Sequence, residues 1–247
     1  MNRPTWPGAL LAAALALCAS ARADSTAEPP GQPLAAVPSH VAGATTLLVQ
    51  DVQPWGTRSN EKVLRGLGVA FDIVHSGSLG AVDLEQYSTI VIASVQTDRF
   101  YGNLGKHVDA IDAWLRHGPR TLEFHAARYS DTLPWNWKIP GGLRVHTDLE
   151  GTDTLSGVES PLTQGLPQTM TGTYASHVVF KGRPHHTDRV LITTGGSRAV
   201  LVDYCLGPGR VIATGQTVEF AVSHDWDWAL VLTNMLSASA LTPGCPG

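Results

Sequence analysis

Charge is scarce in this chain. Only 15% of its 247 residues are Asp, Glu, Lys or Arg, and the formal net charge is −4. No basic run occurs. A nucleic-acid partner would call for a Lys/Arg footprint against the phosphate backbone, so none is expected. Long apolar runs are missing after the first two dozen residues, so no transmembrane segment is expected either. The chain has no P-loop, no dinucleotide glycine fingerprint and no Gly-x-Ser-x-Gly elbow. Nucleotide cradles and the serine-hydrolase turn are therefore not indicated, and no cofactor is expected. Helically spaced zinc pairs are missing too. His185-His186-x-Asp188 follows Arg183-Pro184 in a loop-like stretch and lacks the i, i+4 spacing of a metalloprotease helix, so no metal site is assigned.

Cysteine is rare: Cys18, Cys205 and Cys245 make up the full set. Cys18 falls in an N-terminal segment that reads as a signal peptide over residues 1–23. Its apolar stretch is Ala9 to Leu17, and Ala21-Arg22-Ala23 is a small-x-small cleavage site. Leu15-Ala16-Leu17-Cys18 resembles a lipobox, but Leu17 stands where a small residue is wanted. Export to the periplasm or beyond is the first reading, and lipidation at Cys18 the second. Two cysteines then remain, and an oxidising compartment favours a bridge between Cys205 and Cys245 over two free thiols. Residues 24–43, with four prolines and little charge, read as a linker or arm. The folded part is expected over residues 44–247.

That part alternates strands and helices. Thr45–Gln50, Ala70–Val74, Thr89–Ala93 and Arg120–Ala127 are near-continuous apolar runs, as strands buried on both faces should be. Asn60–Leu67 carries one apolar face, with Ser59 as its cap and Gly68 as its stop. Leu104–His117 aligns Leu104, Val108, Ile111 and Leu115 on one helical face, ended by Gly118. Later come short strands at Leu143–Thr147, Ala175–Phe180, Arg189–Thr193, Ala199–Tyr204 and Arg210–Thr214. Gly195-Gly196 and Gly207-Pro208-Gly209 form hairpin-like turns, and a closing helix covers Trp226–Leu241. The alternation predicts an α/β, flavodoxin-like three-layer sandwich. Its central sheet would be mostly parallel, with a small β-hairpin extension. Binding in such sheets lies at the carboxyl ends of the strands.

Four motifs in order then resemble the class I glutamine amidotransferase-like superfamily, in particular its ThuA-like, exported members. They are Gln50-Asp51 after the first strand, Ile92-Ala93-Ser94-Val95-Gln96, Leu122-Glu123-Phe124-His125-Ala126-Ala127, and Gly209-Arg210-Val211-Ile212-Ala213-Thr214-Gly215-Gln216. The Ser160–Leu166 run is similar to a ThuA-like connector, and the likeness covers Thr45 to Leu236. The resemblance implies an amidotransferase-like α/β domain over 44–247. It also implies that His125 stands where the working enzymes carry a nucleophilic cysteine. Imidazole cannot form the thioester that glutaminase chemistry needs. The glutamate of the late His-x-Glu pair is matched by Glu219, but Thr217 stands where its histidine should be.

Candidate catalytic groups are His125, His177 and Glu219, because a His–carboxylate pair can be tuned for proton transfer near neutral pH. Candidate ligand-binding groups are Asp51 and Gln96 at strand ends, Glu123 on the same face of its strand as His125, Trp135 in an aromatic loop, and Gln216. The expected role is non-glutaminase binding of a small polar or carbohydrate-like ligand. Two alternatives stand beside it. One is a hydrolase or isomerase on a carbohydrate-like substrate with His125 as acid/base. The other is a structural or interaction module with a degenerate site.

Overall fold

A computed structural model describes residues 43–128, 139–182 and 189–245. Residues 1–42, which include the signal-like segment and almost all of the arm, lie outside these. The chain begins with strand β1 (Thr46–Val49), helix α1 (Ser59–Gly66), β2 (Phe71–Val74) and β3 (Thr89–Ile92). Helices α2 (Asp98–Lys106) and α3 (Val108–Arg116) lead to β4 (Thr121–His125). The second half is β5 (Arg144–Leu155), β6 (Thr169–Lys181), β7 (Arg189–Thr194), β8 (Ala199–Leu206) and β9 (Gly209–Thr214). Helices α4 (Val218–Ser223) and α5 (Leu230–Leu241) close it.

Among the described residues, nine strands join in one sheet of order β2-β1-β3-β4-β9-β8-β6-β5-β7, with β7 pairing back onto β8. The pairings from β2 to β9 are parallel. All those from β9 onward are antiparallel. Because β7 returns to β8, strands β8, β6, β5 and β7 close into an antiparallel barrel. The expectation of a mostly parallel flavodoxin-like sandwich with a small hairpin extension is therefore corrected. The antiparallel part carries more strand pairings than the parallel part, and it is a closed barrel. The cause lies in β5 and β6. They run 12 and 13 residues, not five or six. In β5, Arg144, Asp148, Glu150, Gly151 and Asp153 interrupt any apolar alternation, so its own side chains do not announce a strand. Its existence is set by pairing with β6. Register shifts around Glu150 mark irregularities of the kind that bend a ribbon.

Two smaller corrections concern helices. The segment read as one helix over Leu104–His117 is split at His107, whose φ of −115° and ψ of 7° interrupt the spiral. Ser59 does not cap α1; Arg58 is the capping residue and makes no side-chain cap bond.

The parallel half is packed on both faces. On one, Leu47, Ile90, Leu122, Phe124 and Val211 meet Phe100, Leu104, Ile111 and Trp114 of α2 and α3. On the other, Leu48, Val91 and Ile212 meet Leu64 of α1 and Leu232, Met235 and Leu236 of α5. Strand alternation sends Glu123 and His125 toward this second face. Cys205 of β8 and Cys245 form a disulfide with Cα atoms 5.6 Å apart, which ties the C-terminal tail to the sheet. Among the described residues, no helix is long and apolar enough to cross a membrane.

Candidate functional site

His125 is the last residue of β4 and pairs with Thr214 of β9. It has not yet entered a turn, and it is 0% exposed. Its Nδ1 lies 2.8 Å from Glu219 Oε1 and its Nε2 lies 2.6 Å from Glu123 Oε1. Both carboxylates are 0% exposed as well. A buried charge must be paired and hydrogen-bonded to be tolerated, and here every member is. Ser239 Oγ of α5 donates to Glu123 Oε2 at 2.6 Å. Glu219 accepts from Ser94 N at 3.2 Å, Ser94 Oγ at 2.8 Å and Asn60 Nδ2 at 3.2 Å. Ser59 Oγ donates to the Glu219 carbonyl at 2.7 Å.

An imidazole can donate to two carboxylates only when both nitrogens carry hydrogen. Burial by itself pushes the His125 imidazole down, but Glu219 and Glu123 together outweigh that and hold it up at about 10, against an ordinary 6.5. For Glu219, burial pushes upward, and His125 and Ser94 more than offset it, so its carboxyl sits below the ordinary carboxylate range. The group is a closed carboxylate–imidazolium–carboxylate network. It can stabilise the fold, but it offers no free base.

The other sequence candidates scatter. Glu219 and Glu123 meet His125, but His177 does not join them. Its Nδ1 donates to the Arg128 carbonyl. Burial pushes its imidazole down, with that carbonyl working in the opposite direction. Asp51 accepts from Ser76 N at 2.6 Å and Ser76 Oγ at 2.8 Å, which fixes the turn after β2. Gln96 clamps the loop after β1. Its Oε1 accepts from Asp51 N at 2.7 Å and Val52 N at 3.0 Å, and its Nε2 donates to Val52 O and Ser94 O. Gln216 Nε2 donates to Asp153 Oδ2 at 3.2 Å, in a second buried cluster with Ser176. Burial raises Asp153 to about 7 there, against the bonds from Ser176 and Gln216. Trp135 lies outside the described residues, as does the His185-His186-x-Asp188 stretch.

Sequence reasoning missed Asn60, Ser94 and Ser239 as partners of the network. Ser239 did leave a trace, since it is a polar residue in a helix otherwise rich in apolar side chains. Asn60 left none.

Just outside the network lies an aromatic rim. Trp55 Nε1 donates to Ser94 Oγ at 3.2 Å, so Ser94 bridges Trp55 and Glu219. The Trp55 ring meets His177 edge-on with centroids 5.2 Å apart and Phe220 at 5.5 Å. Tyr174 meets His177 at 5.4 Å. Phe220 stacks on His224 at 3.8 Å and touches Trp226 at 5.3 Å. Tyr174 is 45% exposed. Two bulky residues beside this rim hold left-handed backbone, Trp55 at φ 54° and Val95 at φ 53°. Such conformations are costly for bulky or β-branched residues and concentrate at binding sites.

Comparison with known proteins places the fold. No family model matches the chain. An uncharacterised protein of Clostridium acetobutylicum is 27% identical over 191 residues, covering 76% of this chain and 19% of that protein. The chain thus spans about a fifth of the length of the relative it matches. A putative GMP synthase from Thermoplasma acidophilum superposes with a TM-score of 0.51 at 14% identity, over 79% of this chain and 95% of that one. A glutamine amidotransferase of Thermotoga maritima superposes with a TM-score of 0.50 at 12% identity, over 81% and 93%. An exo-β-1,4-mannosidase from Opitutaceae bacterium strain TAV5 gives a TM-score of 0.50 at 14% identity, over 83% of this chain and 37% of that one. The fold is that of the class I glutamine amidotransferases.

Proposed function

We propose that this chain is an exported, ThuA-like member of the amidotransferase-like proteins that has no glutaminase activity and binds a small polar, carbohydrate-like ligand at its aromatic rim. The carrying observation is the closure of His125. The side chain at the strand end where an amidotransferase would keep its nucleophile is 0% exposed, and both its nitrogens are taken by carboxylates. A general acid or base must reach the proton it moves, so the same closure argues against His125 as the acid/base of a hydrolase or isomerase. It leaves a fold with a stabilised interior and an outer surface available for recognition. Aromatic faces beside polar groups suit sugar rings, which present apolar C–H faces and polar edges. Trp55, Tyr174, His177 and Phe220 supply such a surface. The disulfide and the signal-like N-terminus support export.

The test is binding without turnover. The full chain is titrated with short β-linked oligosaccharides, mannobiose among them in view of the mannosidase neighbour, with tryptophan fluorescence and calorimetry as readouts. Saturable binding that falls at least tenfold in Tyr174→Ala, with no ammonia released from glutamine, is the expected result. Release of ammonia from glutamine, or no binding by any saccharide, overturns the reading.

A further inference from the structure

A second site is built at the opposite edge of the sheet. A cavity of about 650 Å³ opens there between β7, β9, α5 and the disulfide-bonded tail. In register, Arg210 of β9 is level with Thr121, where β4 begins, and Thr214 is level with His125, where β4 ends. Four residues of strand separate the two edges, roughly 13 Å. We infer that this cavity binds a small singly charged anion, specifically an organic carboxylate, held by Arg189 and Arg210.

Charge carries the argument. Two guanidiniums converge on one carboxylate, Asp203. Arg210 Nε bonds its Oδ1 at 2.7 Å and Nη2 bonds its Oδ2 at 3.0 Å, while Arg189 Nη2 bonds Oδ2 from the other side. Asp203 and Arg210 are buried, with side chains only 3% and 6% exposed. Two cations against one anion leave one positive charge uncompensated at the cavity wall. A poorly solvated charge without a counter-charge is costly, and none of the residues lining the cavity is acidic. The guanidinium donors not spent on Asp203, including Nη1 of each arginine, make no hydrogen bond to the described residues. Guanidinium forks match carboxylates in geometry as well as charge. A phosphate carries about −1.5 to −2 at neutral pH and would leave the site over-neutralised.

The rest of the wall sets the body of the ligand. Pro161, Ala238, Leu241 and Pro243 give an apolar side. Asn234 is fixed at the rim by donating to the carbonyls of Leu162 and Gln164, at 3.3 and 2.9 Å. Its amide oxygen can then accept from a ligand hydroxyl. The volume suits a small molecule and is far too small for a polymer.

The experiment uses the full chain in chloride buffer. Sodium acetate, butyrate and glucuronate are titrated against a matched sodium chloride series and against sodium phosphate, with melting temperature and calorimetric heat as readouts. At least one carboxylate is expected to bind saturably, more tightly than phosphate. Arg189→Gln, whose side chain is partly exposed, weakens that binding at least tenfold. Ala238→Phe fills the cavity without touching either arginine, and it abolishes binding while circular dichroism shows an intact fold. The inference is overturned if phosphate binds more tightly than every carboxylate, if carboxylates act no differently from chloride, or if the folded Ala238→Phe protein binds as the parent does.

Discussion

At the residue scale, His125 concentrates the cost and the benefit of burying charge. Removing one partner of a buried ion network strands the others, which costs about 3–5 kcal/mol. His125→Ala leaves Glu123 and Glu219 facing each other across a void, so a loss of that size is expected in denaturant titration. Their proximity also predicts a pH dependence. Between pH 6.5 and about 10 the folded state keeps a proton on His125 that the unfolded state has released. Rising pH therefore favours unfolding across that window. The contribution is complete below about 6.5 and gone above about 10. Asp153 titrates near 7 and lower, so the limb from pH 7 to 10 reports His125. Melting temperature measured across this limb should fall in the parent and run flatter in His125→Gln. A parallel fall in both proteins would show that the imidazole is not the group responsible. The network also reaches the rim. Ser94→Ala removes the bridge between Glu219 and Trp55, so the Trp55 emission should shift and saccharide affinity should fall without loss of the fold.

At the element scale, close approach decides more than hydrophobicity. A Cβ at Gly215 would fall 1.8 Å from the Val178 carbonyl oxygen, because β9 leaves the parallel sheet there and runs against β6. The two backbones are joined by the bond from His177 N to Gly215 O at 2.9 Å. Gly215→Ala must push strands apart, and a destabilisation of about 2 kcal/mol or more is expected. Thermal melts alongside the harmless control Gly195→Ala, where nothing lies within 4 Å, would check it. Legibility follows the same physics. The parallel strands announce themselves because burial on both faces makes their side chains apolar, and strand alternation alone places Glu123 on the His125 face. The strands β5 and β6 cannot be seen at full length, because half-exposed ribbons rich in Thr, Asp and Gly owe their shape to their partner. The buried network is half visible. The sequence points to the residues on β4 and to Glu219, but Asn60, Ser94 and Ser239 come from three separate elements that only the fold brings together. Grouping His177 with them fails, since its strand carries it to the Arg128 carbonyl.

At the scale of the whole molecule, the Cys205–Cys245 bridge closes the C-terminal tail onto the amino edge of the sheet. It spans a separation of 40 residues, for which the chain-entropy treatment gives about 4 kcal/mol. Reduction, or a Cys205→Ser and Cys245→Ser double substitution, should lower the denaturation midpoint by a corresponding amount. It should also weaken carboxylate binding, because the tail from Thr242 to Cys245 is one wall of that cavity. A midpoint unaffected by reductant would mean the tail is held by packing alone.

The strand order also sets a timetable. β4 is complete at residue 125, yet its neighbour β9 begins at residue 209, after the whole antiparallel barrel has been made. Until then the growing chain carries a β4 edge of unpaired amides and carbonyls, the kind of surface that recruits other chains. Pairings so distant in sequence are slow to form. A chain shortened before Gly209 would keep that edge for good, and His125 would sit on it. Whatever assists this protein before it is fully synthesised must shield one strand in particular.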